Sequence, residues 1–155
     1  LEAVKGRFHA RHEATQKHYR YLIQQEIVFP FERDYCILAP EPLDVDAMHD
    51  AAQAFVGTLD FTAFSNSKIG KKSTVKRIDS VTVFEEDGQI VLDFIGEGFL
   101  YHMVRKMVSA LISVGLGEIG TKEIAEMIAS KDRGLVPGLA PAKGLFLVGV
   151  AYDNA

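Results

Sequence analysis

The arginine at position 105 sits where a guanidinium could be held at a fixed place. It falls in 96–112, Gly-Glu-Gly-Phe-Leu-Tyr-His-Met-Val-Arg-Lys-Met-Val-Ser-Ala-Leu-Ile, where two glycines close an apolar strand pattern and a helix pattern begins at once. Leu100, Val104, Met107, Leu111 and Val114 recur at steps of four and three and make one apolar face. His102, Lys106, Ser109 and Ser113 fall on the opposite face. At about 100° per residue, Arg105 lies on the margin beside Tyr101, Val108 and Ile112. An arginine there lays its stem on apolar surface and presents its head group to a carboxylate or phosphate. A solvated helix arginine fits the same pattern.

Other chemistry-bearing residues cluster by charge. Lys5, Arg7, Arg11, Lys17 and Arg20 crowd the beginning, with His9, His12 and His18 among them. Lys68, Lys71, Lys72, Lys76 and Arg77 form a second basic run with no acid between them, while acids collect over 26–60. Segregation of this kind can give a basic face to a protein whose net charge is −4. The bland account of the second run is a solvated loop. A metal site lacks ligands: His9 and His12 stand at i, i+3, but Cys36 is the one cysteine and no second motif follows. Gly96-Glu97-Gly98 precedes a helix without the rest of a phosphate-binding fingerprint. A Cys–His nucleophile pair has no local support. Tyr19 and Tyr21 suit a core or an interface.

The elements that position these residues follow from periodicity. Residues 1–16 read as an entering arm, and 18–25 as a strand with Tyr19, Tyr21 and Ile23 on one face and Arg20 and Leu22 on the other. Three prolines make 30–43 a loop. A helix starts near Asp44, capped by Asp44 or Asp46, with Ala47, Met48, Ala51, Ala52, Phe55 and Val56 facing the core and Gly57 as its stop. Residues 60–64 form a short aromatic turn, and 65–74 a mobile basic loop. The strongest hairpin signal joins 75–85 to 89–95 through Glu86-Asp87-Gly88. After the arginine-bearing helix, Thr121 caps another with Ile124, Met127 and Ile128 inward. Residues 133–143 are a loop, and 144–151 are a last strand apolar enough to be buried on both faces. Strand, helix, two strands, two helices and a strand give an α+β fold, an antiparallel sheet with helices packed on one face, of ferredoxin-like or RNA-recognition type.

The chain of 155 residues suits one domain, and 48% hydrophobic with 25% charged residues describes a globular protein. The longest near-apolar run, 107–116, is too short to cross a bilayer. No signal-peptide pattern opens the chain, and the single cysteine fits a cytoplasmic setting. A first residue of leucine suggests a piece of something longer.

Several stretches, in order over nearly the whole chain, resemble one family, the tRNA pseudouridine synthases of the TruA type. Phe8-His9-Ala10-Arg11 and Ala14-Thr15-Gln16-Lys17-His18-Tyr19-Arg20-Tyr21 look like its first strand motif of this half. Gly57-Thr58-Leu59-Asp60-Phe61-Thr62-Ala63-Phe64 is similar to its short helix, and Ser73-Thr74-Val75-Lys76-Arg77-Ile78 to a strand entry. Gly98-Phe99-Leu100-Tyr101-His102-Met103-Val104-Arg105 resembles its third catalytic motif, and Ala140-Pro141 with Gly144-Leu145-Phe146-Leu147 its last. The resemblance implies a homodimeric cytoplasmic enzyme that isomerises uridine in the tRNA anticodon stem-loop, without cofactor or metal. It implies that Tyr19 packs against the target base, that Arg105 ion-pairs with a catalytic aspartate, and that Leu145 or Leu147 lines the pocket. Arg7, Arg11, Lys71, Lys72 and Lys76 would then meet RNA phosphates. The family's aspartate stands in Arg-Thr-Asp-Ala-Gly-Val-His, and no aspartate here has that context. The expectation is a C-terminal domain without its nucleophile, inactive alone. A non-catalytic RNA-binding or dimerisation module is the competing expectation.

Overall fold

The computed structural model describes residues 14–25, 37–39, 41–66 and 73–152. The first described strand is β1 (Ala14–Gln24), where alternation places Tyr21 and Ile23 in the core, both fully buried. A two-residue strand, β2 (Ile37–Leu38), runs parallel to the end of β1, inside the stretch expected to be loop throughout.

Helix α1 (Val45–Ala52) begins as expected, with the Asp44 carboxylate accepting from the Ala47 amide at 3.0 Å. It tightens into a 3₁₀ turn (Gln53–Phe55), and the chain enters β3 (Gly57–Asp60) through Gly57. The aromatic turn (Thr62–Phe64) is also 3₁₀. Phe55 packs edge-on against Phe64 at 5.1 Å, and both are fully buried. Each such side chain contributes about 1.5–3 kcal/mol relative to an exposed one.

The hairpin pairs β4 (Val75–Glu86) with β5 (Gln89–Gly96). Its two-residue loop puts Asp87 at φ 53° and Gly88 at φ 79°, the left-handed pair whose twist matches the flanking strands. Helix α2 (Met103–Gly115), helix α3 (Lys122–Ser130), 3₁₀ turns Arg133–Leu135 and Ala142–Gly144, and β6 (Leu145–Tyr152) complete the chain.

Across the sheet the long strands lie in the order β6-β1-β5-β4, with every neighbouring pair antiparallel. Short β3 extends the β4 edge. The architecture is α+β, and the strand order is that of the ferredoxin-like arrangement. β1 therefore touches β5 on one side and β6 on the other, so the first described strand lies in the interior of the sheet.

Four local expectations need correction. Helix α2 starts at Met103, not at Leu100, because His102 adopts φ 64° and turns the chain first. The supposed polar face of α2 is largely covered: Lys106 is 8% and Ser113 7% exposed. Amphipathicity misled there because the 62–64 turn packs over that side, its Ala63 carbonyl 3.5 Å from the Lys106 ammonium. Thr121 makes no capping hydrogen bond; the Glu123 carboxylate takes the Gly120 amide instead, at 2.7 Å. Strand β6 is not buried on both faces, for Leu147 and Val148 are 54% and 50% exposed. Among the described residues β6 pairs only with β1, which leaves its outer edge open.

Candidate functional site

Where β1, the start of α2 and the approach to β6 converge, they leave a cavity of about 410 Å³. Tyr19 comes from β1, Phe99 to Arg105 from the turn and first residues of α2, and Ala142 and Leu145 from the far wall. Residues distant in sequence meet there because β6 pairs beside β1, with Tyr19 opposite Leu147 and Tyr21 opposite Leu145.

Arg105 is half-buried. Its Nε donates to the Ala140 carbonyl at 2.6 Å, and the Ala140 amide returns a bond to the Arg105 carbonyl at 3.2 Å. This reciprocal pair clips the 136–141 loop to α2, and Ser109 Oγ donates to the Pro137 carbonyl one turn on. Only the Nε of Arg105 is engaged by that clip; among the described residues no carboxylate forms an ion pair with the guanidinium. Its remaining N–H groups keep a planar fork suited to an anion.

Tyr19 stands half-exposed, with Phe99 edge-on at 5.2 Å and 90°. That contact holds the ring upright over the cavity at a geometry aromatic pairs favour. Behind it Tyr21 is fully buried, and its hydroxyl donates to the Pro141 carbonyl at 2.6 Å. Burial pushes the Tyr21 phenol well above its usual range, with the Arg105 charge opposing. A Cβ on Gly144 would lie 2.7 Å from the Tyr21 ring, so the wall can approach this closely only with glycine there.

His102 and Tyr101 form the outer rim. The His102 ring stacks on Tyr101 at 3.8 Å and 24°, and its Nδ1 is 3.1 Å from the Asn66 amide nitrogen. Burial, then the charges of Arg105 and Lys106, lower the His102 pKa. Burial and the nearby Arg133 likewise lower that of Lys106.

Of the two leucines, Leu145 lines the cavity, whereas Leu147 faces Tyr19 across the strand pair and is mostly exposed. Lys76 does not join the site: it lies in β4 opposite Leu59 of β3, toward the other edge of the sheet. Arg7, Arg11, Lys71 and Lys72 fall outside the described residues. The pattern reading missed Phe99, Tyr101 and His102 as site residues, although three aromatic side chains within four positions before a marginal arginine were a usable signal. It also missed a carboxylate on the sheet's other face. Asp93, opposite Arg20 in the pairing of β1 and β5, accepts Nε at 2.8 Å and a terminal nitrogen at 3.0 Å, with His18 Nε2 3.0 Å away. Burial acts to raise the Asp93 pKa, but the Arg20 fork and His18 outweigh it and hold the carboxyl below its ordinary range. A single charge amid Val91-Leu92-Asp93-Phe94-Ile95 announces such a partner.

No group of three or more metal-ligating side chains gathers among the described residues, and no described helix is long and apolar enough to cross a membrane. The cavity offers aromatic faces, an apolar wall and a cation with open donors. It suits a planar ring brought beside an anionic group from outside the described residues.

Comparison with known proteins agrees with that chemistry. The family described as tRNA pseudouridine synthase matches residues 51–153. The chain is 45% identical over 150 residues to tRNA pseudouridine synthase A of Limosilactobacillus fermentum, covering 95% of this chain and 58% of that protein. It is 44% identical over 150 residues to the protein of that name from a Bacillus species, covering 96% and 61%. A third, tRNA pseudouridine synthase A 2 of Bacillus anthracis, is 43% identical over 153 residues, covering 98% and 62%. The chain thus spans about six-tenths of the length of the curated relatives it matches.

Proposed function

The chain belongs to the tRNA pseudouridine synthase family, and from that premise we propose that it is the C-terminal catalytic and RNA-binding domain of an enzyme converting uridine to pseudouridine in the tRNA anticodon stem-loop. The observation that carries this reading is the Arg105 fork, clipped by its Nε to Ala140 at a cavity shared with Tyr19 and lacking a carboxylate partner among the described residues. A catalytic aspartate from outside the chain would complete it. Arg105 would hold that carboxylate bidentately, keep it ionised and aim it at the uridine.

The uridine must leave its stack to be reached. Tyr19, steadied by Phe99, would receive the uracil face, with Leu145 as the apolar wall of the cavity. In the isomerisation the bond from uracil N1 to the ribose breaks and one from C5 to the ribose forms. The C5 proton is lost and N1 gains one, so no atom is added overall, and we propose that the step uses neither cofactor nor metal. Arg7, Arg11, Lys71, Lys72 and Lys76 would contact tRNA phosphates, with Lys76 serving a more distant part of the RNA than the cavity. We place the enzyme in the cytoplasm, working as a homodimer.

The open edge of β6, with Leu147 and Val148 exposed, favours a second reading in which this unit chiefly binds RNA or another polypeptide. One experiment separates them. In the whole protein, Arg105→Ala should abolish pseudouridine formation while leaving tRNA affinity within a few-fold. The 155-residue chain alone should give no product. Retained conversion in the Arg105→Ala protein would sink the catalytic assignment, and turnover by the isolated chain would show that it carries its own nucleophile.

A further inference from the structure

The rim of the cavity holds a second aromatic surface that the reaction just described does not use. Tyr101 is 64% exposed, and its ring lies against the His102 ring at 3.8 Å. Asn66 fastens the pair at two points. The Asn66 side-chain amide meets His102 Nδ1 at 3.1 Å, and the Asn66 backbone amide donates to the Tyr101 carbonyl at 3.0 Å. His102 is meanwhile held at φ 64°, a left-handed conformation that costs a non-glycine residue free energy and concentrates at functional sites. The core gains nothing from so exposed a tyrosine. Both rings line the cavity that Tyr19 and Arg105 share, and His102 directly precedes the helix that carries Arg105.

We propose that Tyr101, backed by His102, is a stacking platform for a second nucleobase, the one adjoining the uridine that enters the cavity. This rests on the RNA-modifying reading above. Extruding one nucleotide strips its neighbour of a stacking partner, and an aromatic ring fixed at the cavity mouth replaces it. The backing imidazole extends the flat surface, and Asn66 keeps it in register. Because every base has a π face, the platform accepts any nucleotide at that position and adds affinity without reading sequence.

The test uses the full 155-residue chain and anticodon stem-loop RNAs carrying 2-aminopurine at each loop position in turn. Stacking quenches this base's fluorescence. Binding of the unaltered chain should quench it at one loop position. Tyr101→Ala should remove that quenching and raise Kd about 5- to 150-fold, whereas Tyr101→Phe should keep the quenching and hold Kd within about twofold of the unaltered chain. His102→Ala should fall between them. Since Tyr101 is exposed, its variants should melt within about 2 °C of the parent. Unchanged Kd and quenching in Tyr101→Ala would overturn the platform and leave the RNA-modifying reading standing. Equal losses in Tyr101→Ala and Tyr101→Phe would overturn stacking in favour of a hydroxyl contact. No RNA binding by the unaltered chain at low salt would overturn the platform together with the RNA-binding role given to this unit.

Discussion

Replacing Tyr21 by phenylalanine removes one oxygen from a fully buried ring and with it the bond to the Pro141 carbonyl at 2.6 Å. The shape of the core is unchanged, so no cavity term arises. A neutral hydrogen bond contributes about 0.5–1.5 kcal/mol net, and stranding a buried acceptor adds about 1–3 kcal/mol. Which applies is decided on the acceptor's side. Pro141 is itself exposed, so water can reclaim its carbonyl, and the second cost is mostly avoided. The expected loss is therefore about 1 kcal/mol, or about 2–4 °C in Tm for a chain of this size. A pH signature accompanies it. Burial raises the folded-state pKa of Tyr21, so above about pH 10 the unfolded phenol ionises while the folded one resists, and stability falls. The phenylalanine protein lacks that loss, so its deficit against the parent should be full at pH 7 and shrink between pH 9 and 11. Thermal unfolding of both proteins across that range measures it. A Tm within about 0.5 °C of the parent at pH 7, or a gap that does not narrow on the alkaline side, would refute the reasoning.

Asp93→Asn should cost about 1–2 kcal/mol at pH 7, since the Arg20 fork loses its anionic partner but Arg20 remains partly exposed. The lowered Asp93 pKa contributes stability present above about pH 4 and lost as pH falls through the depressed folded value, so urea unfolding of the asparagine protein should be flatter in acid; equal acid sensitivity in both would count against the ion pair. Lys106→Met should raise Tm at pH 7 by about 2 °C or more, because among the described residues the buried ammonium has only the 3.5 Å carbonyl contact. The lowered Lys106 pKa means that the parent gains stability as pH rises through the folded value toward about 10.4, a gain the methionine protein should lack. A methionine protein less stable at pH 7 would show that the lysine is a net contributor.

Much of this arrangement was legible because single elements announce themselves locally. The Asp-Gly turn, the Asp44 cap and the alternation of Tyr19, Tyr21 and Ile23 each rest on neighbours in sequence, and each is found. What escaped depends on what lies across space. Lys106 reads as solvent-facing until the 62–64 turn is folded over it, and 144–151 reads as a buried strand because its composition records an apolar surface without saying whether this chain covers it. At the site, Arg105 lies with Ser109 and Ile112 on the least buried stripe of α2, not on a margin between an apolar and a polar face, and its clip to Ala140 joins positions that no periodicity relates. The His102 backbone, which delays α2 by a turn, is not marked by the sequence, since histidine, though enriched in the left-handed region, adopts it in a small minority of cases.

The bond between Tyr21 and Pro141 also spans 120 residues of chain, and the Thr15 hydroxyl reaches the Ala151 carbonyl across 136. β1 is thus synthesised first among the described strands, yet it must wait for β6, the last, before its outer side is paired. Closing so long a loop is slow compared with zipping the β4–β5 hairpin, whose contacts are local. On the ribosome the hairpin and α2 can form while β1 still lacks one neighbour. Tyr19 and Leu145 then come together late, so a nascent chain acquires its cavity only once β6, the last of the described strands, has been made.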